Sequence, residues 1–404
     1  MDLEKRDILK EAVQLSSICR KCIRLSEFWL IFLLFPLEVI SQIHVTGTVS
    51  EAGSNKPVLY ATIYINGTTI GTITNLEGEF SLDNVVPPCE IVISHISYNT
   101  KIIGLKQNND TVLQIKLNPG DVELGIIEVK DKNLREENLT RFKNRFLGTD
   151  YWGKNAFIMN DSVLVFQHEK VIDREVLFFE SGFLPVDSSS VLFNVKAKAP
   201  LLIHLPLLGY KLHINLIHYT EVQTGNENEY RFHILGYFYF QPEENVSNRK
   251  TNRFEKKRLE AYYNSDRHFC RSLFSDQLKE NGYEVLSRVI NPEIQWYDFN
   301  EFDFDNHIIR SGNEAKIIGL KNKSFLIKYF EKYNRPVSLI TRDGIERPFS
   351  KETMEVSAIY FLKDTCTIRT DGSRPDNSIM FGPKIGNKRV GAMLPYDFRP
   401  ENKN

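Results

Sequence analysis

Apolar and polar residues alternate in short runs along most of the chain, a period of two that predicts strands. The clearest run is Tyr210-Lys211-Leu212-His213-Ile214-Asn215-Leu216, where every second side chain is apolar. Ala61-Thr62-Ile63-Tyr64-Ile65 alternates too and runs into Asn66-Gly67, a tight-turn pair because both residues tolerate positive φ. Further strands are expected at 44–49, 163–166, 175–179, 191–196, 230–240, 317–320, 324–329, 336–341 and 354–361, and one at 122–129.

Three stretches break that rhythm. Residues 28–40 read FWLIFLLFPLEVI after Arg20, Lys21 and Arg24. A basic segment, a short apolar run and small residues before a cut form the pattern of a secretory signal peptide, here expected over 1–41 with cleavage before Gln42. The run is short of the ~20 residues a membrane helix needs, and retention as an anchor is the alternative. Residues 141–148 suggest a short amphipathic helix ended by Gly148. At 253–281, Leu259, Tyr262, Tyr263, Phe269, Cys270, Leu273, Phe274 and Leu278 recur at three- and four-residue steps, predicting one long helix with a buried face. Glu260, Asn264, Arg267 and Arg271 form its opposite stripe, expected to be wet, and Gly282 its end.

Charge and cysteine content narrow the function. With 51 Lys+Arg against 52 Asp+Glu, the 404-residue chain lacks the basic excess of a general nucleic-acid binder. Five cysteines exclude a disulfide scaffold. Cys19 and Cys22 leave with a cleaved signal, and Cys89, Cys270 and Cys366 remain.

Gly47-Thr48-Val49, Pro57, Ala61-Thr62-Ile63, Gly67-Thr68, Gly71-Thr72, Thr74-Asn75, Gly78-Glu79-Phe80-Ser81-Leu82 and Ser97-Tyr98 closely resemble, in order and spacing, the carboxypeptidase regulatory-like domain. Asn75 stands where that family often has Asp. The resemblance implies a seven-stranded, transthyretin-like β-sandwich over 43–118, non-catalytic, of a kind found in exported proteins of the Bacteroidetes. The expected chain is therefore mainly β with some α. A strand and charged linker at 119–140 follow the sandwich, then a larger β-rich α+β region over 141–398 with the long helix, and a frayed tail at 399–404. The segment around 253–274 is similar to an uncharacterised region associated with the same module.

Candidate chemistry is sparse. His218-x-x-Glu221 has the spacing of the first ligand pair of zinc carboxypeptidases, and His307 is the third ligand it would need. On a strand, however, positions i and i+3 face opposite ways, so the pair converges only through a turn. Ser265, His268 and Arg271 lie at helical spacing and form a possible functional cluster. Their alternative is a half-buried helix whose His268 serves a local hydrogen-bond network. Asp298, Glu301, Asp303 and Asp305, and the loop holding Asp371 and Asp376, are loose calcium candidates. A G-x-S-x-G elbow, a phosphate-binding glycine loop and H-E-x-x-H are all absent from the sequence. These readings give an exported, non-enzymatic binding or structural protein of the periplasm or cell surface, with no cofactor and a protein or glycan partner. The alternative is a hydrolase, either a metal-dependent peptidase or a glycan-active enzyme, with its site in 150–400.

Overall fold

The computed structural model describes residues 42–106, 111–120, 132–170, 175–179, 182–186, 191–223, 230–290, 297–330, 354–376, 378–382 and 384–400. The apolar run at 28–40 and the strands expected at 122–129 and 336–341 lie outside them. Ile43–Asn404 forms one compact unit, and its described residues hold three hydrophobic cores.

The first core belongs to a seven-stranded sandwich, as the alternation predicts. Its strands are β1 (Ile43–Glu51), β2 (Thr62–Ile65), β3 (Gly71–Ile73), β4 (Glu79–Val85), β5 (Cys89–His95), β6 (Tyr98–Leu105) and β7 (Thr111–Leu117). One sheet runs β4-β1-β7, with β1 and β7 parallel; the other runs β3-β2-β5-β6. Val45, Ile63, Val85, Ile91 and Ile93 are fully buried between them. Gly78 takes φ +74°, and a Cβ there would lie 2.5 Å from the Val49 carbonyl oxygen, a place open only to glycine.

The second core forms between helices and a six-stranded sheet. Helix α1 (Lys132–Leu147) absorbs the latter part of the expected charged linker and ends at Gly148, φ +104°. A single turn, α2 (Tyr151–Lys154), follows. The next strands are β8 (Phe157–Ile158), β9 (Leu164–Lys170), β10 (Glu175–Phe179), β11 (Gly182–Val186), β12 (Val191–Ala197), β13 (Leu201–Leu205), β14 (Tyr210–Gln223) and β15 (Tyr230–Pro242). β14 organises this sheet. Its 14 residues accept β13 and β12 one after the other along one edge, while β15 covers the other edge. β8 and β9 close the flanks, and β10 pairs only with β11. Phe142 and Phe146 of α1 stack at 4.7 Å and meet Tyr219 of β14 edge-on.

The stretch expected as one long helix is two helices, α3 (Asn248–Tyr262) and α4 (Asp266–Phe274). Asn264 adopts φ +52°, which interrupts the helix, and the Ser265 hydroxyl accepts from the His268 N–H to start a new one. Apolar spacing continues across the break, so periodicity alone reads through it. α3 sends Ala261 and Tyr262 to the second core, while α4 sends Phe269, Cys270 and Leu273 to the third.

That third core lies among β16 (Tyr283–Ile290), β17 (Tyr297–Glu301), β18 (Ile308–Ser311), β19 (Glu314–Ile318), β20 (Ser324–Phe330), β21 (Met354–Phe361), β22 (Thr365–Arg369) and β23 (Ile379–Phe381). They form sheets β17-β16-β20-β21-β23 and β18-β19-β22. The chain then returns to the sandwich.

Candidate functional site

The sandwich is stitched to the rest of the unit at its Asn66-Gly67 turn. Gly67 N–H donates to the Phe238 carbonyl at 2.7 Å, Phe240 N–H to the Thr68 carbonyl at 3.0 Å, and Tyr396 N–H to the Gly67 carbonyl at 2.7 Å. Tyr64 stacks on Tyr239 at 5.3 Å, and Asn215 donates to the Tyr64 hydroxyl at 3.0 Å. Both carboxylate oxygens of Asp397 lie 3.1 Å from the Thr69 N–H, and the Thr69 hydroxyl donates to the same group.

This junction opens into a cleft of about 600 Å³. One wall is a single face of α3: Asn252, Glu255, Lys256 and Leu259, at steps of three and four. The opposite wall is the C-terminal segment through Pro395, Asp397, Phe398 and Arg399. Tyr210 and Arg258 form part of the lining. The Arg258 guanidinium lies 4.1 Å from the Tyr210 ring centroid and donates to the Leu208 carbonyl at 2.8 Å, so both groups are held in place. Burial pushes the Tyr210 phenol up to about 12, which leaves it a neutral hydroxyl. Carboxylate and amide acceptors, ammonium and guanidinium donors and aromatic rings thus surround one space, of a size typical of ligand sites.

Ser265, His268 and Arg271 stand behind that wall. Ser265 caps α4. His268 is enclosed by the rings of Tyr262, Tyr283, Tyr263 and Tyr329, with centroids at 5.0, 5.1, 5.3 and 6.0 Å. Its Nδ1 accepts from the Asn264 N–H at 3.3 Å and faces the Tyr283 hydroxyl at 2.9 Å. A backbone N–H can only donate, so Nδ1 is unprotonated and Nε2 carries the ring proton. Burial, with the positive charges of Lys388 and Arg271, lowers the His268 pKa to about 3.

The arginine stripe is the reverse of the sequence expectation. Arg271 is turned inward, donating to the carbonyls of Asp371 and Tyr396 at 3.0 Å each, with its guanidinium 5.3 Å from the Tyr262 ring. Arg267 donates to the Pro395 carbonyl and lies 4.4 Å from the Tyr396 ring. Both hold the segment that forms the cleft wall. Their partners are backbone carbonyls 100 residues or more away along the chain, which helical periodicity cannot register.

The zinc-type triplet is not brought together. A bulge at 216/218 resets the alternation of β14. Glu221 turns into the second core, where Arg141 donates to it at 3.0 and 3.2 Å and the Tyr219 hydroxyl at 2.9 Å. His218 faces the other side and meets His233 of β15 at 3.3 Å. His307 lies in the third-core region, donating to the Ile318 carbonyl at 3.0 Å and stacked on Phe302. Among the described residues no three His, Cys, Asp or Glu side chains are grouped to hold a metal. Of the calcium candidates, Glu301 pairs with Lys279 at 2.6 Å, and Asp303, Asp371 and Asp376 accept local backbone N–H groups.

Residues 45–129 match the family model of the CarboxypepD_reg-like domain, so the sandwich is a module of that family and the match runs past residue 118. It covers about a fifth of the chain. No curated protein matches the sequence. Among solved structures, a type II cohesin–X-dockerin complex from Acetivibrio cellulolyticus is similar at 23% identity and TM-score 0.18, over 27% of this chain and 78% of that one. A candidate carbohydrate-binding protein from Bacteroides uniformis is similar at 6% identity and TM-score 0.17, over 48% and 97%. A candidate membrane-associated protein of unknown function from Bacteroides fragilis is similar at 10% identity and TM-score 0.17, over 50% and 98%. Likeness at this level carries no argument about function. Among the described residues no helix is long and apolar enough to cross a membrane.

Proposed function

We propose that this chain is an exported, non-enzymatic binding protein of the bacterial periplasm or cell surface, and that it takes a glycan or protein segment in the cleft between α3 and the C-terminal segment. The observation that carries this reading is how the cleft is built. Four distant parts of the chain meet around it, and two half-buried arginines, Arg267 and Arg271, fix its C-terminal wall. Of the side chains that looked like a catalytic set, Arg271 holds that wall, Ser265 caps α4 and His268 packs among tyrosine rings. The basic and apolar pattern before Gln42 supports export.

Isothermal titration of the purified protein with cell-envelope polysaccharide fragments and with an envelope protein extract tests the proposal. Asn252→Trp fills the cleft from an exposed helix position, and is expected to remove binding while leaving the melting temperature unchanged. Equal binding by wild type and Asn252→Trp, or turnover of the added glycan or protein, contradicts it.

A further inference from the structure

His218 on β14 and His233 on β15 are residues that sequence spacing never paired, because the hairpin register and the bulge at 216/218 set them side by side. Their rings are 5.4 Å apart between centroids and tilted by 34°. Both side chains lie on the face of the ribbon opposite the second core, together with Thr220, whose hydroxyl donates to Asn194 at 2.8 Å.

His218 Nε2 and His233 Nδ1 are 3.3 Å apart. That lies at the long end of a hydrogen bond, N–H donors usually sitting about 2.7–3.2 Å from their acceptors. It equals the separation of two ligands on a tetrahedral zinc ion, because bonds of about 2.0–2.1 Å at the tetrahedral angle place the nitrogens about 3.3–3.4 Å apart. A square-planar ion with bonds of about the same length needs only about 2.8–3.0 Å. We propose that His218 and His233 form a two-imidazole Zn²⁺ site that ties β14 to β15, with water or a donor from a bound partner completing the tetrahedron.

The electrostatics suit a neutral pair. Burial, then Lys196, lowers the His218 pKa; burial, then His218, lowers that of His233 to about 4. Both rings are therefore uncharged near pH 7, and binding moves each ring proton to the nitrogen that does not face the ion. The charge of Lys196 acts on His218, and its repulsion keeps affinity modest.

The test uses the full chain, wild type against His218→Ala/His233→Ala, with Zn²⁺ as the probe. Equilibrium dialysis against a zinc buffer is expected to show wild type holding about one more equivalent than the double variant, with each single variant weakened at least about tenfold. Comparing the two proteins cancels any zinc taken by the Cys19/Cys22 pair, which both retain. Zn²⁺ is expected to raise the melting temperature of wild type more than that of the double variant. Should the double variant misfold, ¹⁵N imidazole spectra of wild type decide: Zn²⁺ shifts the His218 and His233 resonances if the site exists. Equal zinc content in a folded double variant, or unmoved His218 and His233 resonances, overturns the proposal.

Discussion

His268→Ala is the sharpest test of how α4 is held. The substitution empties a space bounded by four tyrosine rings and removes the acceptor facing both the Asn264 N–H and the Tyr283 hydroxyl. A large-to-small change at a site 4% exposed costs about 2–4 kcal/mol, and an orphaned buried donor about 1–3 kcal/mol more. Partial relaxation makes these overlap, for a total of about 3–5 kcal/mol. Urea unfolding at pH 7.5 reads that loss directly. The pH dependence supplies an independent arm. The folded pKa of about 3 lies below the ordinary value of 6.5, so the neutral ring favours the fold. This contribution is complete above about pH 6.5 and drains away as the pH falls toward 3, at up to about 1.4 kcal/mol per pH unit. His268→Gln keeps an acceptor but does not titrate. It is expected to lose less stability than His268→Ala and to show an acid slope at pH 5 smaller by that same amount. An alanine variant within about 1 kcal/mol of wild type, or a glutamine variant with the full acid slope, would contradict this role for His268.

Arg271→Ala is expected to cost about 1–3 kcal/mol by thermal or urea unfolding, since two half-buried carbonyls lose a charged donor; a loss under about 0.5 kcal/mol, the usual range for surface changes, restores the wet-stripe picture. Gly67→Ala puts a Cβ 2.3 Å from the Tyr396 ring at a residue with φ +75°, and is expected to destabilise by at least about 2 kcal/mol and to increase hydrogen exchange at Tyr396; unchanged exchange there argues against the stitched junction. Mass spectrometry of exported protein is expected to find Gln42 at the N-terminus, and an intact Met1 in the membrane fraction argues for an anchor.

The sandwich was readable from the sequence because its signals are local. Asn66-Gly67 and Gly78 mark turns, and alternate residues of β1, β4 and β7 mark one buried face. The break between α3 and α4 was also locally written, in Asn264 and Ser265, but a continuing apolar spacing masked it. The cleft was not readable. Thr69, Tyr210, the 252–259 helix face and Arg399 share no local pattern and meet only through tertiary packing. His218 shows the same limit, for its neighbour is set by hairpin register rather than by the spacing to Glu221. The arginines failed for another reason. A long side chain reads as solvated unless its acceptors are known, and here these are backbone carbonyls, which every residue carries.

Hydrogen–deuterium exchange of the full chain, with and without a saturating envelope glycan or protein fragment identified by titration, tests binding in the cleft. Slowed exchange is expected at 252–259 and 395–399, and unchanged exchange on strands β17 and β18, which do not line the cleft. Protection confined to other segments, with both cleft walls exchanging as in the free protein, would contradict it.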